Sequence, residues 1–308
     1  MTRAASQRRP EAGTRTAGGG EVRNIRSPLV KTARQLARRS FRQRSRLFLA
    51  EGAQAVREAL IWSGSPGPDG IPGTPGPGRV TELFVTTAAW SRHSDLVAQA
   101  AGQGAAVQTV SGEVMAVLAQ TVTPQGLLAV CRFVDVTLEQ LIAAAPRLVV
   151  LLANVRDPGN AGTVLRTADA AGADGVIFSD ASVDPYNSKC VRASAGSLFH
   201  LPVAVGCPLL DAAAALRGAG VRVLAADGSA DRELGDLDRD GTLAGPAAWL
   251  FGNEAWGLPP DLLALADEAV AVPIYGRAES LNLAAAAAVC LYSSARAQRS
   301  FPARSQSM

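Results

Sequence analysis

Leu148–Leu152 is an unbroken apolar run, and further short runs of strand-forming residues follow at 175–178, 221–225, 248–251 and 269–272, with helical patterns between them. A strand with one wet face alternates polar and apolar residues, whereas a strand covered on both faces reads as continuous apolar sequence. The repeated order of strand then helix therefore predicts an α/β fold with a largely parallel sheet covered on both faces. In such a sheet ligands bind outside the carboxyl ends of the strands, so the loops leaving these runs are where chemistry is expected.

A smaller alternation precedes it, with strands expected at 46–50, 82–86, 105–110 and 127–130 and helices at 54–62 and 96–102. Ahead of these, Ser27-Pro28 reads as a helix cap with Pro in the first turn, leading into Leu29, Val30, Ala33, Leu36 and Ala37 at helical spacing. The opposite face of that helix carries Lys31, Arg34, Arg38 and Arg39, and Arg42, Arg44 and Arg46 follow in the next loop.

Charge is spread unevenly. The net charge of +3 over 308 residues conceals a stretch, residues 1–46, with thirteen Lys and Arg against two acids, a net of +11. The remaining 262 residues carry 17 basic and 25 acidic groups, a net of −8. A basic arm on a mildly acidic body fits a polyphosphate partner such as nucleic acid. Residues 1–23 lack apolar periodicity and are expected to form a disordered basic tail. Residues 64–79 form a Gly/Pro-rich insertion with Gly at every third position from 64 to 76. So few triplets cannot hold a collagen-like triple helix, and a loop is expected. With 134–146 as a linker, the chain divides into units at 24–133 and 147–308, and 48% hydrophobic residues let each bury a core.

Several classes are excluded. No run approaches the roughly 18–20 apolar residues of a membrane span, and the N-terminus lacks the apolar core of a secretory signal. Cys131, Cys190, Cys207 and Cys290 lie far apart without a CxxC pair, and only His93 and His200 could join them as ligands. Neither a structural metal site nor a disulfide framework is expected, and a reducing cytoplasm suits the chain.

Three segments of the second unit stand apart from ordinary core sequence. In the first, Asn154 to Asp169, Asp157-Pro158 suits a helix cap and start, Gly159 and Gly162 permit close backbone approach, and Arg166 lies six residues beyond Asn160. The same residues also suit an ordinary turn between strand and helix, with Arg166 paired to a neighbouring acid. The second, Phe251-Gly-Asn-Glu-Ala-Trp-Gly-Leu-Pro-Pro260, either solvates Glu254 or aims it into a cleft. In the third, Ser280 suits the cap of the next helix, and Asn282, beside the first turn of an Ala-rich helix, needs partners.

Taken in order, the segments resemble the signature of the SpoU (TrmH) family of the SPOUT superfamily of RNA methyltransferases. The matching positions are Asn160 with Arg166 and Thr167-Ala168, then Gly252-Asn-Glu254 with Gly257, then Val272-Pro273-Ile274 with Ser280-Leu281-Asn282. The likeness covers residues 148–297. The first unit is similar to the ribosomal-protein-like α/β substrate-binding domain of many family members, through Phe48-Leu-Ala-Glu-Gly52 and Thr123-Pro-Gln-Gly126.

The resemblance implies S-adenosylmethionine-dependent methylation of an RNA ribose 2′-hydroxyl, a homodimer, and a C-terminal SPOUT domain with a trefoil knot. It places Asn160, Arg166, Glu254, Ser280 and Asn282 in the catalytic site, and Gly252, Val272, Ile274 and Leu281 at the cofactor. A sulfonium methyl donor is already activated, so no metal is required, and alignment of the attacking oxygen matters most. A guanidinium with a pKa above about 12 is a poor base, so Arg166 is expected to hold phosphate and steady developing charge. Lys31, Arg34, Arg38, Arg39, Arg42 and Arg192 are the expected RNA contacts, although Arg192 suits a helix-surface charge equally well. The substrate-binding domain and the wording around Asp184-Pro-Tyr186 favour 23S ribosomal RNA over transfer RNA. A non-catalytic RNA-binding protein of the same fold is the alternative from another class, and has no need for all five catalytic positions. Nucleotide hydrolysis is set aside because no GxxxxGK[ST] loop is present.

Overall fold

A computed structural model of the chain describes residues 20–62 and 79–300; the expected tail up to residue 19 and the insertion at 64–78 lie outside the described residues. The first elements are α1 (Pro28–Gln35), α2 (Arg39–Ser45), β1 (Leu47–Glu51), α3 (Ala53–Trp62), β2 (Val80–Val85), α4 (Thr87–Arg92), α5 (Ser94–Gly102), β3 (Ala106–Thr109), α6 (Gly112–Leu118) and β4 (Leu127–Arg132). The four strands form a mixed sheet in the order β1-β4-β2-β3. Its β4 runs antiparallel to both neighbours, and β2 runs parallel to β3. Ser27 caps α1 by accepting the Val30 amide at 3.3 Å, as its sequence predicts.

Three expectations here need correction. The basic segment after α1 is a second helix rather than a loop, with Arg46 at its end in the left-handed conformation (φ 56°); α1 ends at Gln35, so Arg38 and Arg39 leave its basic face and instead begin α2. The short helices α4 and α6 were not anticipated; Thr86 and Ser111 cap them. Val22, placed in the disordered tail by composition, pairs with Val110, its amide donating to the Thr109 carbonyl at 2.8 Å.

The segment that follows is no bare connector. It holds α7 (Leu138–Ala143), begun by a Thr137/Gln140 capping box, and Val136 bridges to Ala204 in the next sheet. Beyond it come β5 (Leu148–Leu152), α8 (Pro158–Ala171), β6 (Gly175–Ser179), α9 (Ser188–Ala193), β7 (Val203–Cys207), α10 (Leu209–Gly218), β8 (Arg222–Ala226), α11 (Leu234–Arg239), β9 (Ala247–Phe251), α12 (Pro260–Leu263), β10 (Glu268–Val270) and α13 (Leu283–Ser300). The six strands are all parallel, in the order β10-β8-β9-β5-β6-β7. Within β5, Leu148, Val150 and Leu152 face one apolar cluster while Val149 and Leu151 face another, which is why the strand reads as unbroken apolar sequence.

The two sheets do not keep separate cores. One cluster runs from Phe48 and Leu83 of the first sheet through Tyr186 and Phe199 to Val150 and Trp249 of the second. At its centre the Phe133 and Tyr186 rings stack with centroids 3.7 Å apart, and Phe48 lies 4.8 Å from Tyr186. The Tyr186 hydroxyl accepts the Val134 amide and donates to Asp135, both at 2.9 Å. Burial, then the neighbouring Asp135 charge, pushes that phenol well above its usual pKa.

Arg42 belongs to this joint, which overturns its expected role in binding RNA. It is 3% exposed; Nε and Nη2 donate to Asp184 at 2.9 and 2.6 Å, and Nη1 donates to the Leu36 and Ala37 carbonyls at 2.9 Å. A guanidinium so enclosed has no face left for a phosphate, and the Asp184 carboxylate already balances its charge.

Candidate active site

The loop leaving β5 turns sharply at Asn154, which adopts a left-handed conformation (φ 56°). Its backbone is held from two sides: the Asn154 amide donates to Ser179 Oγ at 3.1 Å, and its carbonyl accepts Asn253 Nδ2 at 2.7 Å. Asp157 then caps α8, accepting the Asn160 amide at 2.8 Å, and Pro158 opens the helix, as the sequence predicts. The other Asp157 oxygen accepts Lys189 Nζ at 2.8 Å. That bond, with the Asn160 amide, holds the Asp157 carboxyl below its usual pKa. Gly162 is required by packing: a Cβ there would lie 2.4 Å from the Cys190 carbonyl oxygen of α9.

Glu254, on the loop after β9, is exposed but held in place. Its carboxylate accepts the Arg156 amide at 3.2 Å, the Asp157 amide at 3.1 Å and Asn160 Nδ2 at 3.3 Å. The loop is closed by reciprocal 2.9 Å hydrogen bonds between Asn253 and Gly257, and a Cβ on Gly252 would stand 2.4 Å from the Gly257 carbonyl. Glycine at 252 is thus what lets the loop double back.

The third segment joins through Asn282. Its Nδ2 donates to Asn160 Oδ1 at 3.1 Å, while its Oδ1 accepts the Ala284 amide at 2.9 Å and starts α13. Ser280, expected to cap that helix, does not; the helix begins at Leu283, and Asn282 supplies the cap. Both residue types suit a cap, and the tertiary bond to Asn160 fixes which one serves. The three segments therefore meet in one chain of contacts, Glu254 to Asn160 to Asn282.

Beside this chain lies a pocket of about 430 Å³. Gly252, Val272, Ile274 and Leu281, the expected cofactor positions, all line it, with Glu254, Ser280 and Asn282 on the same wall. A volume of that size that sets apolar side chains beside carboxylates and amides suits a small-molecule ligand with both polar and apolar parts. Ala226, Asp227 and Gly228, at the carboxyl end of β8, also line the pocket. Sequence reading passed over them, although the strand-end rule marks that position. Buried Asn253, which holds the Asn154 turn, was likewise not singled out.

Arg166 stands apart from this group. It is exposed on α8 and has no ion-pair or hydrogen-bond partner among the described residues. Six residues along a helix is about 9 Å of rise and some 240° of net rotation, which turns it off the Asn160 face. Arg192 instead pairs with Glu51 of β1 at 3.5 Å, and Thr121 donates to the same carboxylate. Lys31, Arg34, Arg38 and Arg39 are exposed, without salt bridges among the described residues. All four cysteines are buried and free, and burial pushes the Cys290 thiol up to about 12. No group of three or more His, Cys, Asp or Glu among the described residues is placed to hold a metal ion.

Residues 147–292 match the model of the SpoU rRNA methylase family, and residues 73–136 match that of the RNA 2′-O ribose methyltransferase substrate-binding domain. The chain is 32% identical over 275 residues to the Bacillus subtilis 23S rRNA (guanosine(2553)-2′-O)-methyltransferase RlmP, covering 88% of this chain and 98% of that protein. Its structure is similar to that of an AdoMet-bound rRNA methyltransferase from Sinorhizobium meliloti, with a TM-score of 0.72 and 30% identity over 90% of this chain and 97% of the other. The SpoU methyltransferase AviRb from Streptomyces viridochromogenes, in complex with AdoMet, gives a TM-score of 0.72 at 28% identity, over 89% and 99% of the two chains.

Proposed function

The chain belongs to the SpoU rRNA methylase family, and from that premise we propose that it methylates one ribose 2′-hydroxyl of 23S ribosomal RNA, using S-adenosylmethionine. The observation that carries the site assignment is the Glu254–Asn160–Asn282 chain, drawn from three separate segments, with Glu254 and Asn282 on the wall of a pocket of about 430 Å³. We assign recognition of RNA to residues 24–133 and methyl transfer to residues 147–308. The 23S substrate is supported by the function of the relative that matches along nearly its whole length.

S-adenosylmethionine supplies an activated methyl group, so the protein's task is alignment. Val272, Ile274 and Leu281 form the apolar part of the pocket, and Gly252 lets the loop backbone close on it. The knot expected of the family would bring together the three segments that line it, at 226–228, 251–257 and 270–283. Glu254 fixes the start of α8 through the Arg156 and Asp157 amides, and Asn160 and Asn282 present amides to the ribose. The free Arg166 guanidinium, set off the Asn160 face of α8, would hold a phosphate of the RNA. The hydroxyl proton would leave to that phosphate or to water.

We also propose a homodimer. Trp256, Tyr275, Val289 and Tyr292 are exposed at 58%, 93%, 41% and 53%, an apolar surface beside the pocket and along α13 that suits a second copy. No described helix is long and apolar enough to cross a membrane, and we place the enzyme in the cytoplasm with its RNA.

Incubation with labelled S-adenosylmethionine and purified 23S or transfer RNA tests the reading. Label is expected in 23S RNA at a single ribose; label confined to transfer RNA would replace the substrate, and transfer to neither would favour a binding protein.

A further inference from the structure

The packing of α1 against α6 leaves an open groove of about 500 Å³ that the catalytic site does not use. Lys31, Arg34 and Gln35 of α1, with Arg38 from the turn before α2, line one side, and Val117 and Gln120 form the other. The three cations are exposed and have no acidic partner among the described residues. An uncompensated cationic groove with an apolar floor and two amides fits an RNA strand, whose phosphates need cations and whose unstacked bases need a flat apolar surface and amide partners.

The groove is also indexed to the active site. At its Gln120 edge, Ser188 Oγ of α9 donates to Gln120 Oε1 at 2.5 Å, and the next residue, Lys189, reaches Asp157 at the start of α8. At the end of α1, Arg42 binds the Leu36 and Ala37 carbonyls while paired with Asp184, three residues before Asn187, the cap of α9. The groove is thus tied at two points to residues 184–189, whose Lys189 holds the start of α8.

Resting on the assignment of RNA as substrate, we propose that this groove binds one unstacked nucleotide of single-stranded RNA flanking the methylated ribose. Its phosphates lie over Lys31, Arg34 and Arg38, and its base lies on Val117 between the Gln35 and Gln120 amides. Because the groove is fixed relative to Asn160, it sets the spacing along the strand between that nucleotide and the target.

A 23S RNA transcript carrying 4-thiouridine, photocrosslinked to the whole protein and mapped by mass spectrometry, tests this directly. Crosslinks are expected on the peptides holding Gln35 and Val117–Gln120. In parallel, the Arg34→Ala/Arg38→Ala double variant should bind the transcript about tenfold or more weakly, with a salt-dependence slope lower by about 1.4. Its affinity for S-adenosylmethionine, measured by calorimetry, should equal that of the parent and so report intact folding. If the parent binds and methylates the transcript but crosslinks fall elsewhere, or the double variant keeps its affinity and slope, the groove assignment is wrong while the substrate stands. If the parent neither binds nor methylates the transcript, the substrate assignment falls and takes the groove with it.

Discussion

The two sheets of this chain use the same ingredients to different ends. In the six-stranded sheet every strand points the same way, so the loops after β5, β8, β9 and β10 all open at one edge; those after β8, β9 and β10 line one pocket, and the start of α8 joins them through the Asn160 bonds to Glu254 and Asn282. In the four-stranded sheet β4 opposes its neighbours, strand ends emerge on both sides, and no single edge collects loops. There Lys31 and Arg34 sit on a helix that covers the sheet and Arg38 on the turn after it, where a long polymer can lie along them. Parallel strands concentrate chemistry at a point; a mixed sheet covered by helices offers a surface.

The contrast is sharpest at the joint between the sheets, where the largest effect is expected. Arg42→Ala strands the Asp184 carboxylate in an apolar interior, which costs about 3–5 kcal/mol. Chemical denaturation of the variant should show that loss, and Asp184→Asn in the Arg42→Ala background should recover part of it. Recovery would attribute the loss to the stranded charge, whereas an unchanged midpoint in Arg42→Ala would mean the sheets are held by the shared apolar cluster alone.

Within the convergent edge, Glu254→Ala removes the acceptor for two α8-start amides and for Asn160. Single-turnover methyl transfer should fall by about 10²–10³-fold, while S-adenosylmethionine affinity measured by calorimetry changes little. A comparable loss of affinity would move Glu254 from alignment to cofactor binding. Gly252→Ala should do the reverse. Its added methyl meets the Gly257 carbonyl, so affinity for the cofactor drops first, with a stability cost of about 1–3 kcal/mol visible by thermal melting.

The smallest effect concerns His200, whose ring lies 2.8 Å from Asp169 of α8 and 3.1 Å from Glu58 of α3. Burial opposes its charge, yet the hydrogen bonds to the two carboxylates outweigh it and raise the pKa above the ordinary value. A folded pKa above the unfolded one gives stabilisation that is full below about pH 6.5 and is lost as pH rises through the folded value. The melting temperature should therefore exceed that of His200→Gln at pH 6 and approach it at pH 9; a constant gap would make the contact one of shape rather than charge.

Much of this was legible in sequence because it is local. β5, β6, β8 and β9 announce themselves as continuous apolar runs, and Asp157-Pro158 and Ser27-Pro28 state their helix starts. What escaped depends on distant partners. β7 is interrupted by Gly206 in a positive-φ turn (φ 74°) and a register shift, so its apolar run is short. Arg42 looked like its exposed neighbours until Asp184, 142 residues away, buried it. Asn282 took the cap from Ser280 because Asn160 holds it from another loop. The site residues could be picked out by motif, but the bonds among Glu254, Asn160 and Asn282 exist only once three loops meet.

The stack of Phe133 on Tyr186, with Phe48 against it, also governs how such a chain diverges. The four-stranded unit of a relative cannot be exchanged like a bead on a string, because its inner surface is part of the six-stranded unit's interior. Specificity for a new RNA must then evolve on the outer helices, with Arg42, Phe48, Phe133, Asp184 and Tyr186 inherited as one block.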